Sequence, residues 1–282
     1  MRQSNPYPRI SQAIRLLVLF VALQLAFGLL LGLLGGVLGY PLHRHPAAVA
    51  LLSLVAASLV LLWGLKRTRA SLREVFPLVP IRISLLLPIT LTIIGAHILL
   101  SEMDNLLRTV LPMPAWLADF FTNLTQAETS LWGSALALVV VAPLTEELLF
   151  RGLILRGFLT NYTVRKAVVA SAILFAVVHL NPWQAPTAAL LGVLLAWWFV
   201  ETRSLLPCLF GHALANALPL ICATVLPVKI PGFTGGLSTQ VEFQPLWFDL
   251  LGALLVGLGI WLLVQRFREA DDTPAQDPVV EE

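Results

Sequence analysis

Residues 135–158 read ALALVVVAPLTEELLFRGLILRGF, and this stretch decides the fold. It is long enough to cross a hydrocarbon core as a helix, which takes about 20 residues. Yet Glu146, Glu147 and Arg151 lie inside it. An ionisable group at membrane depth is unfavourable by about 2.5–3.5 kcal/mol on insertion scales unless it is paired, hydrated or turned toward a polar cavity. Three such groups in six residues therefore mark a functional site in a membrane setting.

The rest of the chain agrees with that setting. Of its 282 residues 58% are hydrophobic and only 12% charged, and the mean hydropathy is +0.85. Repeated apolar runs of this kind predict an all-α, polytopic helical membrane protein with about eight transmembrane helices, not a soluble domain. The expected spans are Ile14 to Tyr40, Ala47 to Leu65, Ile83 to Leu100, Leu131 to about Phe158, Val168 to Leu180, Ala185 to Val200, Leu205 to Leu226 and Leu246 to Val264. The first has a basic start but an apolar stretch far longer than that of a signal peptide, so it is read as a retained span.

With eight spans and a cytoplasmic start, Arg44, Arg108 and Lys229 are the only ones of the 18 Lys and Arg left outside. The positive-inside rule then places both termini in the cytoplasm. The formal charge of +2 follows from this topology and gives no reason to invoke nucleic acid. The sequence divides into an N-terminal transmembrane region, 1–130, with three spans and an outer interfacial segment; a core, 131–226; a final span, 227–268; and an acidic tail, 269–282, expected to be disordered. In the outer segment Trp116, Phe120 and Phe121 have the spacing of a helix resting on the headgroup region. Lys66 to Phe76 reads as an amphipathic piece on the cytoplasmic surface. Gly28, Gly32 and Gly36 recur at four-residue spacing, the pattern of a face on which another helix packs closely. Cys208 and Cys222 read as ordinary buried thiols.

The chemistry lies between Glu146 and Asn216. Residues four apart share a helical face, so Glu147 and Arg151 are expected to pair, while Glu146 points about 100 degrees away and is free to face a cavity. His179, one turn after Phe175, and His212, one turn before Asn216, add polar groups at or near apolar spans. Singly, each histidine reads as a satisfied core or interfacial residue. Together with the two acids they form a polar set that a lipid-facing bundle has no reason to keep, since each group needs a partner out of water.

These residues resemble the CPBP intramembrane protease family, which includes the Rce1-type CAAX-processing endopeptidases and bacterial proteins labelled abortive-infection or bacteriocin-immunity proteins. Glu146, Glu147 and Arg151 match its EExxxR motif, Phe175 and His179 its FxxxH, and His212 and Asn216 its HxxxN, in that order. The resemblance covers roughly Leu131 to Cys222. It implies an endopeptidase working in or at the edge of a bacterial inner membrane on a membrane-associated protein or peptide, lipidated or not, with the bilayer as its other partner. It also implies roles: Glu146 as general base activating water with His179, His212 and Asn216 on the oxyanion, and Glu147 and Arg151 organising the site.

Two mechanisms stay open. A base and oxyanion donors suffice for peptide hydrolysis without a metal. Alternatively His179, His212 and Glu146 make a catalytic Zn2+ or other divalent-metal set, with the second glutamate as base, although HExxH is absent. GxSxG and GxGD are absent too. A non-proteolytic immunity or scaffolding protein would keep the same fold, and intramembrane Glu and His also serve proton relays, although no inverted repeat is evident. One geometric difficulty accompanies the protease reading. On a full-length span starting at Arg165, His179 lies about 21 Å along the axis, out of level with Glu146 unless helices tilt, shift or break.

Overall fold

Apolar runs this long must satisfy every backbone N–H and C=O internally once water is gone, and the α-helix does so within one segment. The computed structural model describes residues 7–40, 42, 45–118, 131–224, 229–234 and 241–271, and among these there is helix but no strand. The helices are α1 (Ile10–Leu38), α2 (Pro46–Thr68), the single turn α3 (Leu72–Val75), α4 (Ile83–Val110), α5 (131–161), α6 (Val164–Val178), α7 (Ala185–Thr202), α8 (Leu206–Thr224) and α9 (Leu246–Asp271). Asp119 to Ser130, with Phe120 and Phe121, and the tail beyond Asp271 lie outside the described residues.

A helix occupies each of the eight expected intervals. Six of them, α1, α2, α4, α7, α8 and α9, are long and apolar enough to cross a membrane. The other two are α5, which carries the charged motif, and α6, which has only 15 residues. The largest boundary difference is in α4, which continues ten residues past Leu100 through Ser101, Glu102 and Asp104. Asp104 bonds to Arg108 at 3.0 Å one turn on, which lets the helix carry both charges.

Helix α5 is continuous, since Ala135, Val141, Glu147 and Leu155 at its internal joints all have right-handed helical φ/ψ. Over Leu136–Val141 and Leu148–Leu155 its turns widen to π geometry. Such widening is rare and clusters at functional sites. Here the two wide stretches bracket Ala142–Glu147, the turn that carries the glutamates.

Close packing sets the helix neighbours. Along α4 and α9, a Cβ on Gly95 would meet the Gly252 carbonyl oxygen and the Val256 nitrogen at 2.6 Å, so the two backbones approach as only glycine allows. The loop before α9 is tied under α4: Asn105 Nδ2 donates to the Gly232 carbonyl at 2.8 Å, and the Gln244 amide to Glu102 at 3.0 Å. Gly28, Gly32 and Gly36 differ from expectation. A Cβ on any of them meets nothing within 4 Å, so the close-packed glycine seam lies between α4 and α9 and not on α1. Helices α6 and α7 form a hairpin in which a Cβ on Gly192 would stand 3.0 Å from Ala172 Cα, so the glycine permits the close approach. One core of buried side chains joins α1, α2 and α4 to α5 through Leu16, Val60, Ile89, Phe150 and Phe158 and continues into α6 to α9.

Candidate active site

The charged motif folds as its spacing requires. Arg151 Nη1 donates to Glu147 Oε1 at 2.9 Å, and both side chains are fully buried. The same carboxylate oxygen accepts from His212 Nδ1, across from α8, at 2.6 Å. The second guanidinium nitrogen, Nη2, donates to the Gly192 carbonyl of α7 at 3.1 Å. A buried ion pair is tolerated only with such extra hydrogen bonds, because desolvation offsets most of its Coulombic gain. Glu147 and Arg151 thus clamp α5, α7 and α8 together.

With its Nδ1–H given to Glu147, the His212 ring presents Nε2 on its other side. That nitrogen faces Glu146 Oε2 at 3.7 Å, within Coulombic range but past hydrogen-bond length. Glu146 Oε2 is buried without a hydrogen-bond partner, while the side chain as a whole keeps 21% exposure. Of the two adjacent acids, one is locked in the bundle and the other is uncommitted at its edge.

His179 is the residue just past the end of α6. Its Nδ1 lies 2.7 Å from the Phe175 carbonyl, an acceptor, so Nδ1 donates and Nε2 remains as a lone pair in the neutral ring. The chain then turns sharply through Leu180 at φ 52°, a left-handed conformation that a leucine rarely adopts. The difficulty of level is resolved by the length of α5, which runs on to Asn161: Glu146 stands 15 residues before that end and His179 15 residues after Val164, each about 22 Å from the α5–α6 turn. The Phe175 ring binds the motifs together. It lies edge-on to His179 at 5.0 Å and to His212 at 5.7 Å, with the Arg151 guanidinium 4.7 Å from its centroid. Asn216, one turn beyond His212, donates one amide hydrogen to the Leu138 carbonyl at 2.8 Å in the first wide stretch of α5, and keeps the second.

All six expected residues therefore gather where α5, α6 and α8 meet. His212 is the histidine whose ring nitrogen faces Glu146, and His179 Nδ1 is turned to the Phe175 carbonyl. Among the described residues no group of three or more His, Cys, Asp or Glu is placed to hold a metal, so His179, His212 and Glu146 do not converge as a ligand set. Three contributors escaped the sequence reading. The Gly192 and Leu138 carbonyls act through backbone, which carries no side-chain signal. Gly211 has the Trp198 ring where a Cβ would stand, and only its position before His212 hinted at it.

Residues 128–218, about a third of the 282, match the family described as type II CAAX prenyl endopeptidase Rce1-like. The matched segment is Rce1-like. It includes every residue of the cluster, from Glu146 to Asn216. No curated protein and no solved structure matches the chain. The Rce1-like family is a protease family, and with six apolar helices of spanning length among the described residues the chain is an integral membrane protein.

Proposed function

We propose that the Rce1-like segment makes this chain an intramembrane endopeptidase that cleaves a membrane-associated protein or peptide with Glu146 as general base. The observation that carries the reading is the division of labour between the adjacent glutamates. Glu147 is spent on Arg151 and His212, and Glu146 is left unbonded beside His212 Nε2. A structural ion pair needs one acid, and two with different environments fit acid–base chemistry.

In this reading Glu146 takes a proton from water as its oxygen bonds to the scissile carbonyl carbon. His179 Nε2 accepts the water's other hydrogen and orients it. Charge developing on the carbonyl oxygen is met from the α8 side by the spare Asn216 amide hydrogen and by Nε2–H of His212 in its doubly protonated form, with Nδ1–H held by Glu147. Collapse breaks the C–N bond, and the proton on Glu146 passes to the leaving amine. No step is routed through a metal, because the candidate ligands do not converge. Zinc at stoichiometric occupancy in purified protein, with activity lost on chelation and restored by zinc, would replace this scheme with the metal-assisted one.

The Lys and Arg bias supports termini in the cytoplasm and an arginine-rich cytoplasmic end of the bundle. The test compares newly formed protein N-termini in membranes of cells carrying wild type or Glu146→Gln at matched expression. Termini that vanish with the variant establish proteolysis and identify the substrate. Identical termini with the cellular phenotype retained sink the proposal in favour of a binding or immunity role.

A further inference from the structure

A second cluster of charge lies ten residues beyond Glu146 on α5, about 15 Å along the axis and clear of the glutamates. A cavity of about 360 Å³ opens there between α3, the end of α5 and the end of α7, lined by Arg73, Arg156 and Arg203, with Glu74, Leu159 and Phe199. None of the three guanidiniums has a hydrogen bond or ion pair among the described residues. Arg203 takes a left-handed backbone, φ 51°, as it closes α7. Glu74 is the one acid in the lining; it accepts from the Ser71 amide at 2.7 Å as part of a capping box and lies within electrostatic reach of Arg156. Two positive charges are thus in excess. The apolar walls, Leu159 and Phe199, give way to Leu72, Leu78 and Val79, which are each more than half exposed. Exposed leucines beside a basic pocket are the profile of a segment seated in the headgroup and acyl boundary.

We propose that Arg73, Arg156 and Arg203 form a binding site for the phosphate group of an anionic phospholipid headgroup, with Leu72 and Leu78 beside its acyl chains. Guanidiniums match phosphate oxygens in paired hydrogen bonds, and basic pockets between transmembrane helices select anionic headgroups. The inference is independent of the proteolytic reading, since it uses none of the residues placed in the catalytic cluster.

The full-length chain in a neutral detergent would be titrated with short-chain phosphatidylglycerol, short-chain phosphatidylcholine and inorganic phosphate, with thermal unfolding as the readout. Phosphatidylglycerol alone should raise the melting temperature. Arg156→Gln and Arg203→Gln should each weaken half-saturation roughly tenfold, whereas Arg82→Gln, an exposed arginine outside the lining, should leave it unchanged. Each variant's melting without lipid reports whether it folds, and Arg156→Lys should recover part of the loss. An equal response to inorganic phosphate would overturn the lipid assignment and make the pocket a soluble-anion site. A response to phosphatidylcholine as large, or an equal loss in Arg82→Gln, would overturn the site altogether.

Discussion

Replacing Arg151 by methionine isolates what holds the cluster together. The substitution keeps most of the volume but removes the guanidinium that donates to Glu147 and to the Gly192 carbonyl. Glu147, fully buried, is then left with His212 as its one hydrogen-bond partner. Removing one member of a buried pair destabilises by about 3–5 kcal/mol, most of it the penalty for the stranded charge. In a chain of this size that lowers the melting temperature by on the order of 10 °C. Because the stranded charge dominates, Glu147→Gln on the Arg151→Met background should recover about 1–3 kcal/mol, with the new amide oxygen still accepting from His212. Cys208 is a buried free thiol and Cys222 a half-buried one, so a thiol-reactive dye reports unfolding in detergent without further labelling. Melting of Arg151→Met within about 2 °C of wild type, or a double variant no more stable than the single one, would refute the account of Glu147 as a charge held in place by Arg151.

The remaining expectations use the same measurement. Glu146→Gln should melt close to wild type, since Glu146 Oε2 has no hydrogen bond to lose, while cleavage falls by about a hundredfold or more, as expected for a lost general base. Gly95→Ala should destabilise by about 1–3 kcal/mol because its Cβ would press on the Gly252 carbonyl and Val256 backbone. Gly32→Ala, with nothing within 4 Å, should be neutral or stabilising by up to about 1 kcal/mol. The Ser71 amide and hydroxyl, with Arg156 nearby, hold the Glu74 carboxyl below its usual range. A depressed acid contributes stability above its unfolded value and loses it as pH falls through the folded one. On acidification through the carboxylate range wild type should therefore lose its advantage over Glu74→Gln, and an unchanged gap would count against the cap.

Much of this architecture was legible because the membrane leaves few choices. Apolar runs had to be helices, and the four-residue spacing of Glu147 and Arg151 dictated their pairing. What escaped depended on relations between helices. Spacing within α5 separates the faces of Glu146 and Glu147, but no local rule says which histidine comes to which acid, and Nδ1 of His179 goes to its own helix's Phe175 carbonyl. Four-residue glycine spacing also marks a candidate seam without naming a partner. Gly28, Gly32 and Gly36 satisfy the pattern but have room for a Cβ, while Gly95, Gly252 and Gly259 are closely packed between α4 and α9 with no such regularity. The widened turns of α5 leave no trace in residue type, since LALVVV and LLFRGLIL would serve equally well in an ordinary helix.

The brevity of α6 has a consequence for the lipid around it. Its 15 residues rise about 22 Å, some 8 Å less than a hydrocarbon core of about 30 Å. Hydrophobic mismatch of that size is relieved by local thinning of the bilayer or by hydration of the gap. Either response brings the aqueous phase down to His179, at the truncated end of α6. For the hydrolysis proposed above, such a dimple would be a route by which water reaches the site from the membrane surface.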